Sequence, residues 1–489
     1  MERLGIEDDR FWQKLLILGV LLNILACFTS DLGLDTHAKM AVDEDGALPW
    51  GDLRPVIAGQ SDATDGGERV VLPLYDLSET GIKAFALFTF FGLVACLYRW
   101  GGVRSAAVFS LSPAMIFSVG RGYEEVYLAV FSALALLLFT GVLSSKNRPL
   151  QCFSGGVFFM SMAYSKGFTD AQGVLLGALV TGAIALLCQR LQGSGLNGTA
   201  WMSRPHIVGI GVGLVVALLM VVFGLLEINA TLAIIGQQPL RFASAVVFSI
   251  FDVVILFTLF GMVLWPFIGS IWNVLKRVED TMLAMMVGYI SGMLVAIVFY
   301  VAALWTYEAS IWEAEWPGVV WTMGNNGRYI TMLFVPFVVM MHFLRKHDDV
   351  PTLDSPKSKT KAVFATLLLL IPLSLLASLH GQTMWTDEAA FAMELEKDEH
   401  FLFVSEDTLG MHWLYTFYAP LDAEENNITG HWRSTNTAWE KDLNSTLADV
   451  NTIVLSPEIT FTLNGWDVKT TGESDFLNGK GEWRVLTRS

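Results

Sequence analysis

Charge is scarce in this 489-residue chain: Asp, Glu, Lys and Arg make up 16% of it, against about 25% in a soluble globular domain. With 53% hydrophobic residues and a mean hydropathy of +0.50, that scarcity excludes an ordinary soluble fold. Cysteine is also scarce. Cys27, Cys96, Cys152 and Cys188 all lie in or at the ends of apolar runs. The long polar segments hold none, which excludes a disulfide framework there. No small-residue cleavage site follows the first apolar run, about Phe11 to Phe28, so a cleavable signal peptide is not expected. No repeat of fixed period is present, and no nucleic-acid partner is expected.

What the chain does have is apolar length. About eleven runs approach the ~20 residues that a spanning helix needs. They fall near 11–29, 81–98, 104–119, 124–143, 150–165, 171–189, 207–227, 244–272, 282–304, 329–344 and 362–379, the fifth being the weakest. The expected fold is a polytopic α-helical membrane protein over 1–379, with a long first outer loop at 30–80. A small C-terminal α/β domain follows over 380–489. In that domain Phe401-Leu-Phe-Val-Ser405 and Thr452-Ile-Val-Leu-Ser456 read as buried strands, and Trp439–Ala448 as a helix. Residues 345–361, rich in Lys, Ser, Thr and Pro, read as a linker.

Basic residues fix an orientation. Arg99 and Arg104, Lys146 and Arg148, Arg190 and Arg204, Lys276 and Arg277, and Arg345 to Lys361 fall in alternate loops. By the positive-inside rule these loops face the cytoplasm. The amino terminus is then cytoplasmic, the chain a multi-pass cell-membrane protein, and 380–489 extracytoplasmic. The net charge of −16 is uneven: 380–489 holds 19 acids against 7 bases, and 30–80 holds 11 against 3. An acidic, solvated outer surface accounts for both. Asn229, Asn427 and Asn444 begin Asn-x-Thr sequons on that side.

Candidate chemistry gathers at the outer ends of the apolar runs. Asp31 and Asp35 follow the first run, with His37 and Lys39 close by. They share a face if the stretch is helical, and Thr36–Asp45 is a helix candidate. A carboxylate there serves as a general base, or is merely solvated and capping a helix. Arg121, Glu124 and Glu125 form the short second outer loop, and Lys166 and Asp170 the next outer turn. Arg241, Arg328 and Tyr329 lie beyond. Arginine suits phosphate through its planar fork, although a lone interfacial arginine often snorkels to headgroups. Trp312, Trp316 and Trp321 in the third outer loop fit an aromatic belt. Asp252 is the clearest mid-run acid, and Glu227 sits near a run's end.

Three patterns resemble the GT-C superfamily of membrane glycosyltransferases, the group of dolichyl- and polyprenyl-phosphate-mannose mannosyltransferases and their relatives. One is an acid just outside the first run followed by Gly46-Ala-Leu-Pro-Trp-Gly-Asp52. The second is Ser112-Pro-Ala-Met-Ile-Phe-Ser-Val-Gly-Arg-Gly-Tyr-Glu-Glu125. The third is Gly327-Arg-Tyr-Ile-Thr-Met-Leu-Phe-Val-Pro336. Spacing agrees over roughly 10–380. Asp35 is followed by Thr36, whereas many members carry Asp-Glu there. The Asp35-x-His37 piece also resembles oligosaccharyltransferase catalytic subunits, but their Trp-Trp-Asp motif is missing from the outer domain.

The resemblance implies an inverting transferase that moves a sugar from a lipid phosphate to an acceptor glycan, lipid or protein. Its base would be Asp35 or Asp31, Asp35 being preferred for its neighbours His37 and Lys39. Glu124 and Glu125 would join the site, orienting the acceptor or holding a divalent cation. Arg328, Lys166 and Tyr329 would bind the donor phosphate, with Arg121, His37 and Lys39 as further binding candidates. A transporter and a non-catalytic scaffold with an outer binding domain are the competing classes.

Overall fold

A computed structural model describes residues 9–40, 72–143, 146–166, 169, 171–193, 204–226, 230–260, 281–311, 316–317, 328–347, 357–379, 395–405, 417, 421, 425–435, 438–456, 459, 461–474 and 481–489. Gly46–Asp52, Asp170, Glu227, Asn229, Trp312 and Trp321 lie outside them. The chain divides into two compact units. The first is Met1–Thr29, Gly81–Thr306 and Met323–Leu379, and the second is Ser30–Thr80, Tyr307–Thr322 and His380–Ser489. The segments 30–80 and 307–322 thus group with the C-terminal residues and not with the helices they interrupt.

The first unit is helical. It contains α1 (Asp9–Thr29), and the second unit interposes α2 (Leu34–Met40). There follow α3 (Glu79–Ser110), α4 (Pro113–Gly120), α5 (Glu125–Phe139), α6 (Arg148–Ser165), α7 (Ala171–Gly193), α8 (Pro205–Leu225), α9 (Ala230–Gln237), α10 (Pro239–Phe260), α11 (Thr281–Ile311), α12 (Thr331–His347) and α13 (Lys357–Leu379). Every one of the eleven apolar runs contains a helix. Among the described residues, however, five helices are long and apolar enough to cross a membrane. The number becomes six if α4 and α5, bent by 115°, form one broken span.

Local chemistry sets the boundaries. Asn147 caps α6, its side chain accepting from the Leu150 amide at 3.2 Å. Proline opens α4, α6 and α8 in the first turn, where its missing N–H costs nothing. Gly102 interrupts α3 at φ 74°, ψ −178°, a backbone that suits glycine. The chain unwinds again at Leu111–Ser112, so the third apolar run is two short helical pieces.

The groups freed by that second break are bound. Asn23 Nδ2 of α1 donates to Ser110 O at 2.9 Å and to Gly19 O at 2.8 Å, and Ser374 Oγ of α13 donates to Leu111 O. Such partners are what lets a broken helix persist away from water. α4, α5 and α12 are the buried centre, packed through Met115, Ile116, Val126, Leu136, Phe334 and Val338. α8 and α11 approach through paired small-xxx-small faces: a Cβ built on Gly209 would lie 2.2 Å from Gly288 O, and one on Gly213 2.8 Å from Gly292 O.

The second unit holds a five-stranded mixed sheet of β1 (His400–Ser405), β2 (Thr429–Ser434), β3 (Thr452–Leu455), β4 (Trp466–Ser474) and β5 (Gly481–Arg488), in the order β2-β1-β3-β5-β4. β1 pairs in parallel with β2 and β3, and β5 antiparallel with β3 and β4. Leu402, Val404, Ile453, Leu455 and Leu486 pack against Trp439, Leu443, Leu447 and Val450. The rings of Phe401 and Phe403 meet Phe417 edge-on.

Two expectations are corrected. The helix expected at Trp439–Ala448 is a 3₁₀ helix over Trp439–Asn444. It ends on Asn444, with Ser445 and Thr446 following, residues whose side chains compete with helical hydrogen bonding. The helix candidate at Thr36–Asp45 starts earlier, at Leu34, and is described to Met40.

Candidate functional site

The site grows from the turn between α4 and α5. Tyr123 N closes it onto Ser118 O at 2.9 Å, and Gly122 at φ 64° supplies its reversal. The turn delivers Arg121 at the end of α4 and Glu124 and Glu125 at the start of α5. Carboxylates at a helix amino terminus meet the positive end of its dipole. Burial is nearly complete here: Arg121 and Glu125 are 0% exposed, Glu124 4% and Arg328 6%. Charges so far from water persist only when paired.

The pairing comes from two other helices. Lys166, at the end of α6, contacts Glu124 and lies 3.0 Å from Glu125 Oε1. Arg328, just ahead of α12, places Nε 3.3 Å from the same oxygen. Thr331 ties the start of α12 in place: its hydroxyl donates to Arg328 O at 2.8 Å and reaches Glu125 O at 3.3 Å. Burial opposes the charge on Lys166. The Glu124 and Glu125 carboxylates, with the Tyr300 and Tyr329 phenols behind them, outweigh it and hold the ammonium well above its ordinary 10.5.

Aromatic rings frame the charges. The Arg121 guanidinium lies 4.0 Å from the Phe117 ring centroid, and Arg328 4.5 Å from that of Tyr123. Phe117 and Tyr123 stack at 5.6 Å. Lys166 is 5.4 Å from the Tyr329 ring. The Tyr329 hydroxyl meets that of Tyr300 at 3.3 Å. Cation–π contacts of this kind gain strength when desolvated.

No family model, curated protein or solved structure matches this chain.

The structure therefore brings together Glu124, Glu125, Lys166, Arg328 and Tyr329, with Arg121 in the same turn. Lys166 and Arg328 both reach the Glu124–Glu125 pair from other helices, so cationic and anionic groups meet in a buried setting. Among the described residues, no three His, Cys, Asp or Glu side chains form a set that could hold a metal ion. Glu124 and Glu125 engage Lys166, and Glu125 also engages Arg328, rather than standing as an acidic pair.

The first-loop residues belong to the second unit. Asp31 is half-buried and precedes α2, so it does not share a helix face with Asp35 as a continuous helix would require. Asp35 is exposed in the first turn of α2. Thr36 is buried, and the amides of Thr36 and His37 both donate to Gly33 O, at 2.8 and 3.0 Å. Lys39 lies one turn beyond Asp35 and over the Tyr75 ring, 5.3 Å from its centroid.

Three participants were not anticipated. Tyr123 stood beside Glu124 in a quoted motif and could have been read there. Phe117 lies in the same motif but within its apolar helix, and Tyr300 within another, where neither is set apart from core residues.

Proposed function

We propose that this protein is an integral membrane glycosyltransferase of GT-C type, moving a sugar from a polyprenyl-phosphate donor to an acceptor on the outer face with inversion. About eleven spans, a cytoplasmic amino terminus and an extracytoplasmic C-terminal domain belong to the same reading. The observation that carries it is the buried pairing of Lys166 and Arg328, brought in from two other helices, with Glu124 and Glu125. The guanidinium and ammonium groups are the kind that bind a phosphodiester. The three local resemblances to GT-C enzymes point the same way, and two of them contain Arg121, Glu124, Glu125, Arg328 and Tyr329.

In this reading Asp35 takes the proton of the acceptor hydroxyl as that oxygen attacks the anomeric carbon. Arg328 and Lys166 receive the charge that develops on the departing lipid phosphate. Glu124 and Glu125 hold those two cations in position. Tyr329, tied to Tyr300, offers a hydroxyl at the same place.

The test is an assay of the purified protein in lipid nanodiscs against a panel of polyprenyl-phosphate sugars. Transfer from at least one donor is expected, and Asp35→Asn is expected to reduce it by roughly 100-fold or more, the usual scale of a lost general base. Full activity in that variant would remove Asp35 as base. Failure to bind any donor would overturn the transferase reading in favour of a scaffold.

A further inference from the structure

Two sequons fall among the described residues, and the fold treats them differently. Asn427-Ile-Thr429 leads into β2. Asn427 has φ 53°, and its Nδ2 donates to Asp398 Oδ1 at 2.8 Å. Thr429 N donates to Glu399 O at 3.0 Å, and Thr429 pairs with His400 in the β1–β2 ladder. The acceptor nitrogen and the backbone of the recognition threonine are both committed.

Asn444-Ser-Thr446 is presented instead. All three residues are exposed, and they bulge between two buried leucines, Leu443 and Leu447, which anchor the tripeptide to the sheet core. The bulge is a turn at the end of the 3₁₀ helix, with Ser445 N donating to Asp442 O at 2.9 Å. Among the described residues no hydrogen bond engages the Asn444 carboxamide. An oligosaccharyl-transferring enzyme must grip the Asn carboxamide and the Thr hydroxyl together. Only the second sequon offers both without unzipping a strand.

We propose that Asn444 is an N-glycan acceptor and that Asn427, despite its sequon, is not. The donor class is a lipid-phosphate-linked oligosaccharide used by a host transferase. Asn444 Nδ2 attacks the anomeric carbon, and the N–C1 bond forms as the C1–O bond to the lipid phosphate breaks. The phosphate leaves with the electron pair, and the amide proton passes to the transferase's base. The proposal rests on the outward placement of residues 380–489 and is otherwise independent of what the buried cluster does.

The test is site-resolved peptide mass spectrometry of the full-length chain, isolated from membranes of an N-glycosylating host. A glycan on Asn444 is expected, lost in Asn444→Gln and retained in Asn427→Gln, with occupancy at Asn427 lower by at least about ten-fold. Asn197-Gly-Thr199, on the inner side by the basic-loop assignment, is expected bare. In parallel, exposed Asp467 of β4 is changed to Cys and treated in intact cells with a membrane-impermeant maleimide. If Asp467→Cys is labelled and Asn444 is bare, the site is wrong while the sidedness stands. Equal occupancy at Asn427 likewise overturns the proposal. If Asp467→Cys is protected, the sidedness falls and the acceptor site with it.

Discussion

Lys166 is central to the charge state of the buried cluster, because it touches both carboxylates. Its pKa is raised in the fold, against the opposing effect of burial, by Glu124 and Glu125. A lysine raised above its unfolded value contributes its full stabilisation below about 10.5, and loses it only as pH climbs through the folded value. Replacing it by Met leaves buried carboxylates short of one partner, a change that costs about 3 kcal/mol or more when a buried pair is broken. The stability gap between wild type and Lys166→Met should therefore stay constant from about pH 7 to pH 9.5, in detergent-solubilised thermal unfolding. A gap that closes within that window would place the Lys166 titration inside it and contradict the pairing. The participants were unequally legible. Glu124, Glu125, Lys166 and Arg328 stand out because a charge at the end of an apolar run needs a partner, and Tyr329 through its place in the Arg-Tyr segment. Tyr300 does not stand out, because only the packing of α11 gives its hydroxyl a role.

At the scale of elements, the contact between α8 and α11 offers an internal control. Gly209 faces Gly288, and an added methyl would sit 2.2 Å from a backbone oxygen that cannot swing aside, whereas Gly211 on the same helix has nothing within 4 Å. Gly209→Ala must push two helices apart, at roughly 1–3 kcal/mol for an overpacked contact. Gly211→Ala meets open space and gains up to about 1 kcal/mol in helix propensity. Thermal unfolding of the two variants should move in opposite directions, and equal shifts would mean that this close approach does not exist. The helices were readable because each is a long apolar run. The sheet was readable in part. β1 and β3, buried on both faces, are the continuous runs His400–Ser405 and Thr452–Leu455. β2, β4 and β5 carry Arg433, Lys469, Glu473, Glu482 and Arg484 among their residues. Two of them, β2 and β4, are sheet edges with one neighbour each, so half of their environment is polar and no continuous apolar run marks them.

For the whole molecule, charge is divided between the two units more sharply than the net value of −16 suggests. The second unit, Ser30–Thr80 with Tyr307–Thr322 and His380–Ser489, carries 33 acids against 10 bases, and the helical unit 14 against 21. A net of −23 within one compact unit repels itself, and self-repulsion destabilises a folded state. Salt weakens that term as the screening length falls from about 10 Å at 0.1 M to about 3 Å at 1 M. The buried Lys166–Glu125 and Arg328–Glu125 pairs are shielded from solvent and lose far less. Stability of the full-length protein should therefore rise with sodium chloride and level off near 1 M, with a midpoint several degrees higher than at about 0.05 M. Sucrose at equal osmolality separates screening from general solute exclusion, which strengthens burial without touching charge. A midpoint that falls with salt would mean that exposed ion pairs outweigh repulsion in the acidic unit. A rise matched by sucrose would assign the effect to exclusion instead. A rise seen with salt alone would make the acidic excess a standing cost to the second unit, and one that the opposite charge of the helical unit does not cancel.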